Sequence, residues 1–305
     1  MHVILIAGGW SDEREVSLSG AKKIHSALEE LGHTVTFFDP ADDFKSLLTI
    51  AKEADFAFIN LHGTPGEDGL IQAILDKADC PYQGAGPAAS YLALNKAASK
   101  EVFEDRGIKT PDWQLVTPVQ GVATPLELEL PVFVKPNKGG SSLGMSLVKR
   151  AEDFPAALEK VFAMCQSALV ESFIPGVELT CGILGDDPLP LIMIKPRSDS
   201  EFFDYANKYA EDGAEEICPA PVDEELSDSI QAQMVVAHNA LGLTGYSRGD
   251  FMVTKDGEAY LLEVNTLPGM TPTSLLPQAA GHVGFSFTEL IGELIRLGLE
   301  KGTHK

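Results

Sequence analysis

The sequence predicts an α/β protein that opens on a parallel sheet and continues as an α+β half built on antiparallel strand pairs. Residues 1–92 alternate short apolar runs with helical stretches, the pattern of parallel βαβ units. Two later stretches, "VFVKPNKGGSSLGMSLVK" and "RGDFMVTKDGEAYLLEV", each read as two strands joined by a loop. A chain of 305 residues is long enough for two or three domains with substantial cores.

The elements follow in order. "HVILIA" is a buried first strand, and "GGWSDEREVS" leads from it into the helical "LSGAKKIHSALEELG", capped by Gly32. "TVTFF" and "DFAFIN" are the next strands, with helical "DDFKSLLTIAKEA" between them. Ligands of such sheets sit at the carboxyl ends of the strands. Two polar loops begin there, "GGWSDEREVS" and "LHGTPGEDG". "PYQGAGPAAS" offers G-x-G-x-x-A at Gly84–Ala89. A dinucleotide fingerprint needs that turn after the first strand and an acid ending the second. Here the match comes late, and Glu104 and Asp105 lie in the helical run "ALNKAASKEVFEDRG". The stretch is a strand-to-helix turn with Pro87 near the helix start, and NAD is not expected.

Residues 93–172 form a second unit: a helix, strands at "WQLV" and "PVFVKP", the loop "NKGGSSLGMSLVK", a helix through "EDFPAALEKVF" and the strand "ALVESF". Residues 173–305 form a third, with strands at "GVELTCGIL" and "PLPLIMIKP". Its long polar segment "RSDSEFFDYANKYAEDGAEEICPA" has the length of a lid, although an ordinary surface excursion reads the same way.

The third unit holds the densest polar pattern. "RGDFMV" and "EAYLLEV" read as strands around Asp256-Gly257, a two-residue turn signal. In that register Asp250 faces Glu263 and Arg248 faces Asn265, all four on one sheet face. Opposed carboxylates repel, and a cation between them is the simplest remedy. Oxygen ligands without His or Cys suit Mg²⁺. A solvated face with Arg248 pairing one carboxylate fits the spacing equally well. In "VFVKPNKGGSSLG" a strand ends in Lys135, and Gly139, Gly140, Ser141, Ser142 and Gly144 follow. Glycine N–H groups and serine hydroxyls can converge on an anion. A strand follows the glycines and Lys-Ser/Thr does not, so this is a flap over phosphates and no Walker A motif.

A net charge of −22 argues against broad binding to nucleic acid or anionic membrane. Cys80, Cys165, Cys181 and Cys218 have no metal-ligand spacing, and reduced thiols in a cytoplasmic protein are expected. "MHVILIAGGWSDERE" is too short and charged for a membrane span or signal peptide.

Together "GGWSDEREVSLSG", "LHGTPGEDG", "VKPNKGGSSLGM", "FFDYANKY", "SRGDFM" and "LLEVNTLPGMTPTSLLP" resemble the D-alanine–D-alanine ligases of the ATP-grasp superfamily, in family order and over nearly the whole chain. The resemblance implies an ATP-grasp fold behind an N-terminal parallel-sheet domain, and ligation of two D-alanines through an acyl phosphate. It implies that Lys96 and Lys135 hold ATP phosphates beside Gly140, Ser141 and Ser142, covered by the Ser141–Gly144 loop, with Glu171 and Glu178 at adenine and ribose. Family members often carry a lysine after the Glu171 position, where this chain has Ser172. Asp250, Glu263 and Asn265 would hold two Mg²⁺, with Mn²⁺ a possible substitute. Arg248 and the Gly269 N–H would stabilise the oxyanion. Glu13 would bind the first D-alanine's ammonium, and Ser274 and the Leu275 N–H the second's carboxylate. His62 would lie near the substrates. Ser141, Tyr209 and Glu13 would close the lid, and Lys208 would reach the transferring phosphate. A homodimer is implied as well. The rivals are a D-alanine–D-lactate or D-alanine–D-serine ligase and a nucleotide-binding protein without turnover. Tyr209 favours an amine nucleophile, and the intact metal set with Arg248 favours catalysis.

Overall fold

A computed structural model describes residues 1–140, 143–196 and 214–302. Three sheets organise them. The first is parallel, in the order β2-β1-β3, from β1 (His2–Ala7), β2 (Thr34–Phe38) and β3 (Phe56–Asn60). Val3 to Ala7 are sealed from solvent, as a strand covered on both faces should be. Helix α1 (Arg14–Glu30) ends as expected: Gly32 takes φ +79°, and the His33 N–H reaches the Leu28 carbonyl at 3.0 Å.

The helix expected after β2 is broken. It forms α2 (Pro40–Asp43), a 3₁₀ turn and α3 (Leu47–Ala51), because Asp43 leaves the helical region at φ −151°. That bend sets Phe44 edge-on against Trp10, ring centroids 5.5 Å apart. After α4 (Leu70–Lys77), α5 (Pro87–Leu94) starts at Pro87 as expected, and Asn95 separates it from α6 (Lys96–Asp105).

The second sheet has the order β4-β7-β5-β6, from β4 (Trp113–Val116), β5 (Val132–Pro136), β6 (Ser146–Val148) and β7 (Ala168–Ser172). α7 (Phe154–Phe162) covers it, and Phe154, Leu158 and Val161 join Val132, Val134 and Val170 in its core. β5 and β6 pair antiparallel around the glycine-serine loop.

The third sheet runs β11-β10-β8-β12-β13, with β9 beside β8. Its strands are β8 (Val177–Leu184), β9 (Asp187–Pro188), β10 (Ile192–Pro196), β11 (Ala214–Ile217), β12 (Tyr246–Val253) and β13 (Ala259–Asn265). α8 (Glu224–Ala240) packs on one face. Phe103 of α6 shares that core with Met234 and Phe251, so the helix opening the second unit packs on the third sheet.

The β12–β13 turn corrects the sequence reading. A three-residue loop forms in place of the two-residue turn: the Thr254 N–H meets the Glu258 carbonyl at 3.0 Å, and Gly257 takes φ +82°. This moves the register by one residue, so that Phe251 faces Leu261. An irregularity after Asp250 moves it back. The two offsets cancel, and Asp250 faces Glu263 while Arg248 faces Asn265, as expected.

The chain then returns to the first sheet. α9 (Leu275–His282) and α10 (Phe287–Gly302) contribute Leu276, Ala280, Leu290 and Ile295 to the core of β1 and β3. Among the described residues no helix is long and apolar enough to cross a membrane.

Candidate active site

The third sheet presents one polar face. Arg248 and Asp250 of β12 lie beside Gly182 and Thr180 of β8 and opposite Asn265 and Glu263 of β13. Both charged side chains of β12 are buried. Arg248 Nε and Nη2 donate to the two Asp250 oxygens, each at 2.8 Å. Burial opposes the guanidinium's charge, but Asp250 outweighs it and raises the Arg248 pKa further. The pairing left open by the spacing is thus realised.

α6 brings the next cation. Asn95 caps the helix, its Oδ1 also accepts from Asn137 Nδ2 at 2.7 Å, and Asn137 Oδ1 accepts from the Ala97 N–H at 2.9 Å. These bonds dock the helix start on the loop after β5. Lys96 then lies 3.0 Å from Glu263 Oε2 and donates to the Gly139 carbonyl. Glu67, Lys96, Gly139, Gly140, Glu263 and Asn265 line one cleft.

Among the described residues no three His, Cys, Asp or Glu side chains gather as a metal cage. Asp250, Glu263 and Asn265 offer two carboxylates and an amide on one face, all hard oxygen donors. That set fits Mg²⁺, which commonly takes one or two carboxylates and completes its shell with phosphates and water. The Asn265 oxygen also accepts from the Leu267 N–H at 2.9 Å, which fixes its direction.

The second sheet supplies a buried charge cluster. Glu171 of β7 is almost fully buried, with Lys100 Nζ 2.6 Å from Oε1 and Lys135 of β5 paired to Oε2. Burial works against the carboxylate, yet the two lysines prevail and hold Glu171 below the usual range. Burial also draws Lys100 down, while Glu171 raises Lys135 against the same penalty. Glu171 is therefore the hub of an ion-paired cluster. Glu178 of β8 is half-buried on the Asp250 face, opposite Met252.

The first sheet's loops close the other side. Gly8 and Gly9 take φ +90° and +74°, and Asp39 accepts from the Gly9 N–H at 2.9 Å and pairs with Arg14 at 2.6 Å. A Cβ at Gly8 would stand 2.3 Å from Asp39 Oδ2, so no side chain fits. This loop ends at Glu13, whose Oε2 would be 3.6 Å from a Cβ on Gly140. The loop after β1 and the glycine-rich loop after β5 thus meet. His62, after β3, is buried with Nδ1 3.9 Å from Glu67 Oε1.

The segment between β13 and α9 lies against both halves. The Met270 carbonyl approaches Gly20 of α1, at 3.4 Å from where a Cβ would be. Ser274 Oγ accepts from the Thr271 N–H at 3.1 Å and would be 2.9 Å from a Cβ on Gly269, so the two residues are close neighbours. Leu275 opens α9 and lines a small cavity with Arg248, Thr180 and Gly182. A helix start is a favourable place for a carboxylate.

Lys96, Glu263 and Asn265 thus line the cleft and Arg248 and Leu275 the cavity; Glu13 and His62 approach the cleft through Gly140 and Glu67, Asp250 pairs with Arg248, and Ser274 lies beside Gly269 next to Leu275. Ser141, Ser142, Lys208 and Tyr209 lie outside the described residues. Sequence reasoning missed Lys100, Glu67 and Asn137. Lys100 carried a signal, since it follows Lys96 by one helical turn on the same face.

The family described as D-ala D-ala ligase C-terminus matches residues 102–296. A D-alanine–D-alanine ligase of Maridesulfovibrio salexigens is 62% identical over 301 residues, which cover 99% of each chain. The crystal structure of a D-alanine–D-alanine ligase from Bacillus anthracis superposes with a TM-score of 0.89 at 34% identity, covering 100% of this chain and 99% of that one. The crystal structure of a D-alanine–D-alanine ligase from Bacillus anthracis complexed with ATP gives 0.87 at 30% identity, covering 100% of this chain and 99% of that one. The ATP-grasp architecture with a parallel N-terminal sheet is borne out. The chain belongs to the D-alanine–D-alanine ligase family.

Proposed function

We propose that this protein joins two D-alanines into D-alanyl-D-alanine with ATP, releasing ADP and phosphate, to supply cell-wall precursor synthesis. The observation that carries the reading is the sheet face of Arg248, Asp250, Glu263 and Asn265 inside a chain 62% identical, end to end, to a ligase of this name.

The reaction passes the γ-phosphoryl group of ATP to a carboxylate oxygen of the first D-alanine. The amine of the second attacks the resulting carbonyl carbon and loses a proton, and the C–O bond to phosphate breaks. Such chemistry depends on alignment and charge neutralisation more than on a protein nucleophile. Lys96 and Lys135 hold the phosphates beside Gly140, Ser141 and Ser142, the Ser141–Gly144 loop covers them, and Lys208 reaches the transferring group. Glu171 and Glu178 serve the adenine and ribose. Asp250, Glu263 and Asn265 would hold two Mg²⁺, or Mn²⁺ in their place, which neutralise phosphate charge. Arg248 and the Gly269 N–H receive the developing oxyanion. Glu13 takes the first substrate's ammonium, with His62 nearby, and Ser274 with the Leu275 N–H takes the second's carboxylate. Tyr209 and Ser141 join Glu13 to close the site, excluding the water that would hydrolyse an acyl phosphate. A homodimer completes the reading, and the four free thiols support a place in the cytoplasm.

The test is phosphate release with ATP, Mg²⁺ and a panel of D- and L-amino acids and D-lactate, with product masses. D-Alanine alone should sustain turnover and give the dipeptide mass, and ¹⁸O from its carboxylate should appear in phosphate. A depsipeptide as main product, or no turnover with D-alanine, overturns the reading.

A further inference from the structure

We infer that Lys100, which has no route to solvent, is a positioning residue for ATP: by neutralising Glu171 it leaves Lys135 its full charge for the phosphates. The inference rests on the reading of Lys135 as a phosphate ligand.

Lys100 is 0% exposed on α6. Its ammonium lies 2.6 Å from Glu171 Oε1 and donates to the Thr110 hydroxyl. Thr110 Oγ1 in turn donates to the Leu261 carbonyl at 2.8 Å, on the strand that carries Glu263. Lys135 meets the other oxygen of Glu171, and its side chain keeps 15% exposure against 0% for Lys100.

An apolar residue would tie α6 to β7 with less desolvation than a lysine. What it could not supply is charge. Two ammoniums and one carboxylate leave one net positive charge, and of the two lysines only Lys135 reaches solvent. Without Lys100, Glu171 and Lys135 become a neutral buried pair, and an anionic ligand must compete with Glu171 for the same ammonium. The helix that carries Lys96 to Glu263 therefore also adjusts the second phosphate lysine, from behind.

The test uses steady-state kinetics of the full chain. Lys135→Met should raise KM for ATP well beyond tenfold, and Lys100→Met about tenfold, with KM for D-alanine within about twofold. Lys100→Arg keeps the charge and should stay within about threefold of wild type. Lys100→Gln, uncharged but able to bond Thr110, gives the same readout where the Met variant fails to fold. A merely structural residue would lower Tm and kcat and leave KM for ATP unmoved. If Lys135→Met leaves KM for ATP unchanged, the phosphate reading falls and this inference with it. If Lys135→Met raises KM but the neutral Lys100 variants do not, or Lys100→Arg is as impaired as Lys100→Met, the inference alone is overturned.

Discussion

The two sides of the cleft hold their polar groups by different means. On the sheet side charge is paired with charge: Arg248 with Asp250, Lys96 with Glu263, and Lys100 and Lys135 with Glu171. On the N-terminal side the loop itself is fixed. Asp39 ties the Gly9 and Ala41 N–H groups, and Ser17 and Asn60 bind each other's backbone carbonyls. Strands present side chains at a fixed period of two, so opposite charges can be set in advance. A loop needs neighbours to hold it before its side chains have any fixed direction. Removing one charge from the sheet side strands a buried partner, which costs more than loosening a loop.

The largest effect should follow Asp250→Asn or Glu263→Gln. Each removes one negative charge from the proposed metal site and deprives Arg248 or Lys96 of its ion-pair partner's charge. Turnover should fall at least ~100-fold, the order seen when charge stabilisation is lost. Near-normal turnover at saturating Mg²⁺ in both variants would break the contrast on its stronger side.

The N-terminal side should respond more weakly and in a different parameter. Asp39→Ala frees the loop that ends at Glu13, far in the chain from Lys96 and Lys135, the proposed phosphate ligands. Loss of its charge-assisted bonds should raise KM for D-alanine roughly fivefold to tenfold while KM for ATP stays within about twofold. A matching rise in both would mean that the loop and the sheet act as one unit.

The sequence showed the sheet side better than its causes. The opposed pairs Asp250–Glu263 and Arg248–Asn265 were legible because hairpin strands alternate faces. The loop length was not, since "TKDGE" suits two-residue and three-residue turns alike, and the compensating irregularity after Asp250 depends on neighbouring strands. Glu171 was legible only through family resemblance, which points at adenine. Its pairing with two lysines comes from three elements distant in sequence. Lys100 shares a helix face with Lys96, but only the fold shows that its end of that face is sealed. Helix existence survived better than helix continuity: the stretch after β2 has helical composition, yet packing of Phe44 on Trp10 accompanies its break.

The smallest effect on turnover should come from the back of the sheet. Ser247 is the neighbour of Arg248 on β12 and points to the opposite face, where its hydroxyl meets His238 Nδ1 of α8 at 2.7 Å. His238→Gln should leave turnover at pH 7.5 within about twofold, because only the cleft face carries the chemistry. Its signature is in stability. Burial pushes the His238 pKa down to about 4, with Asp186 pulling weakly upward. An unfolded histidine takes up its proton near pH 6.5. Between those values the unfolded chain binds a proton that the folded chain refuses, so the contribution is whole above pH 6.5 and fades as pH falls towards 4. The loss has an upper bound of about 3 kcal/mol by pH 4, at 1.36 kcal/mol per unit. Urea denaturation at pH 7, 6 and 5 measures it as the difference in slope between wild type and variant. Acidic groups such as Glu171 add a trend of the same sign to both proteins and cancel in that difference. Parallel stability curves would show that His238 is not held neutral behind β12, and the back face would then be less sealed than the side that carries the charges.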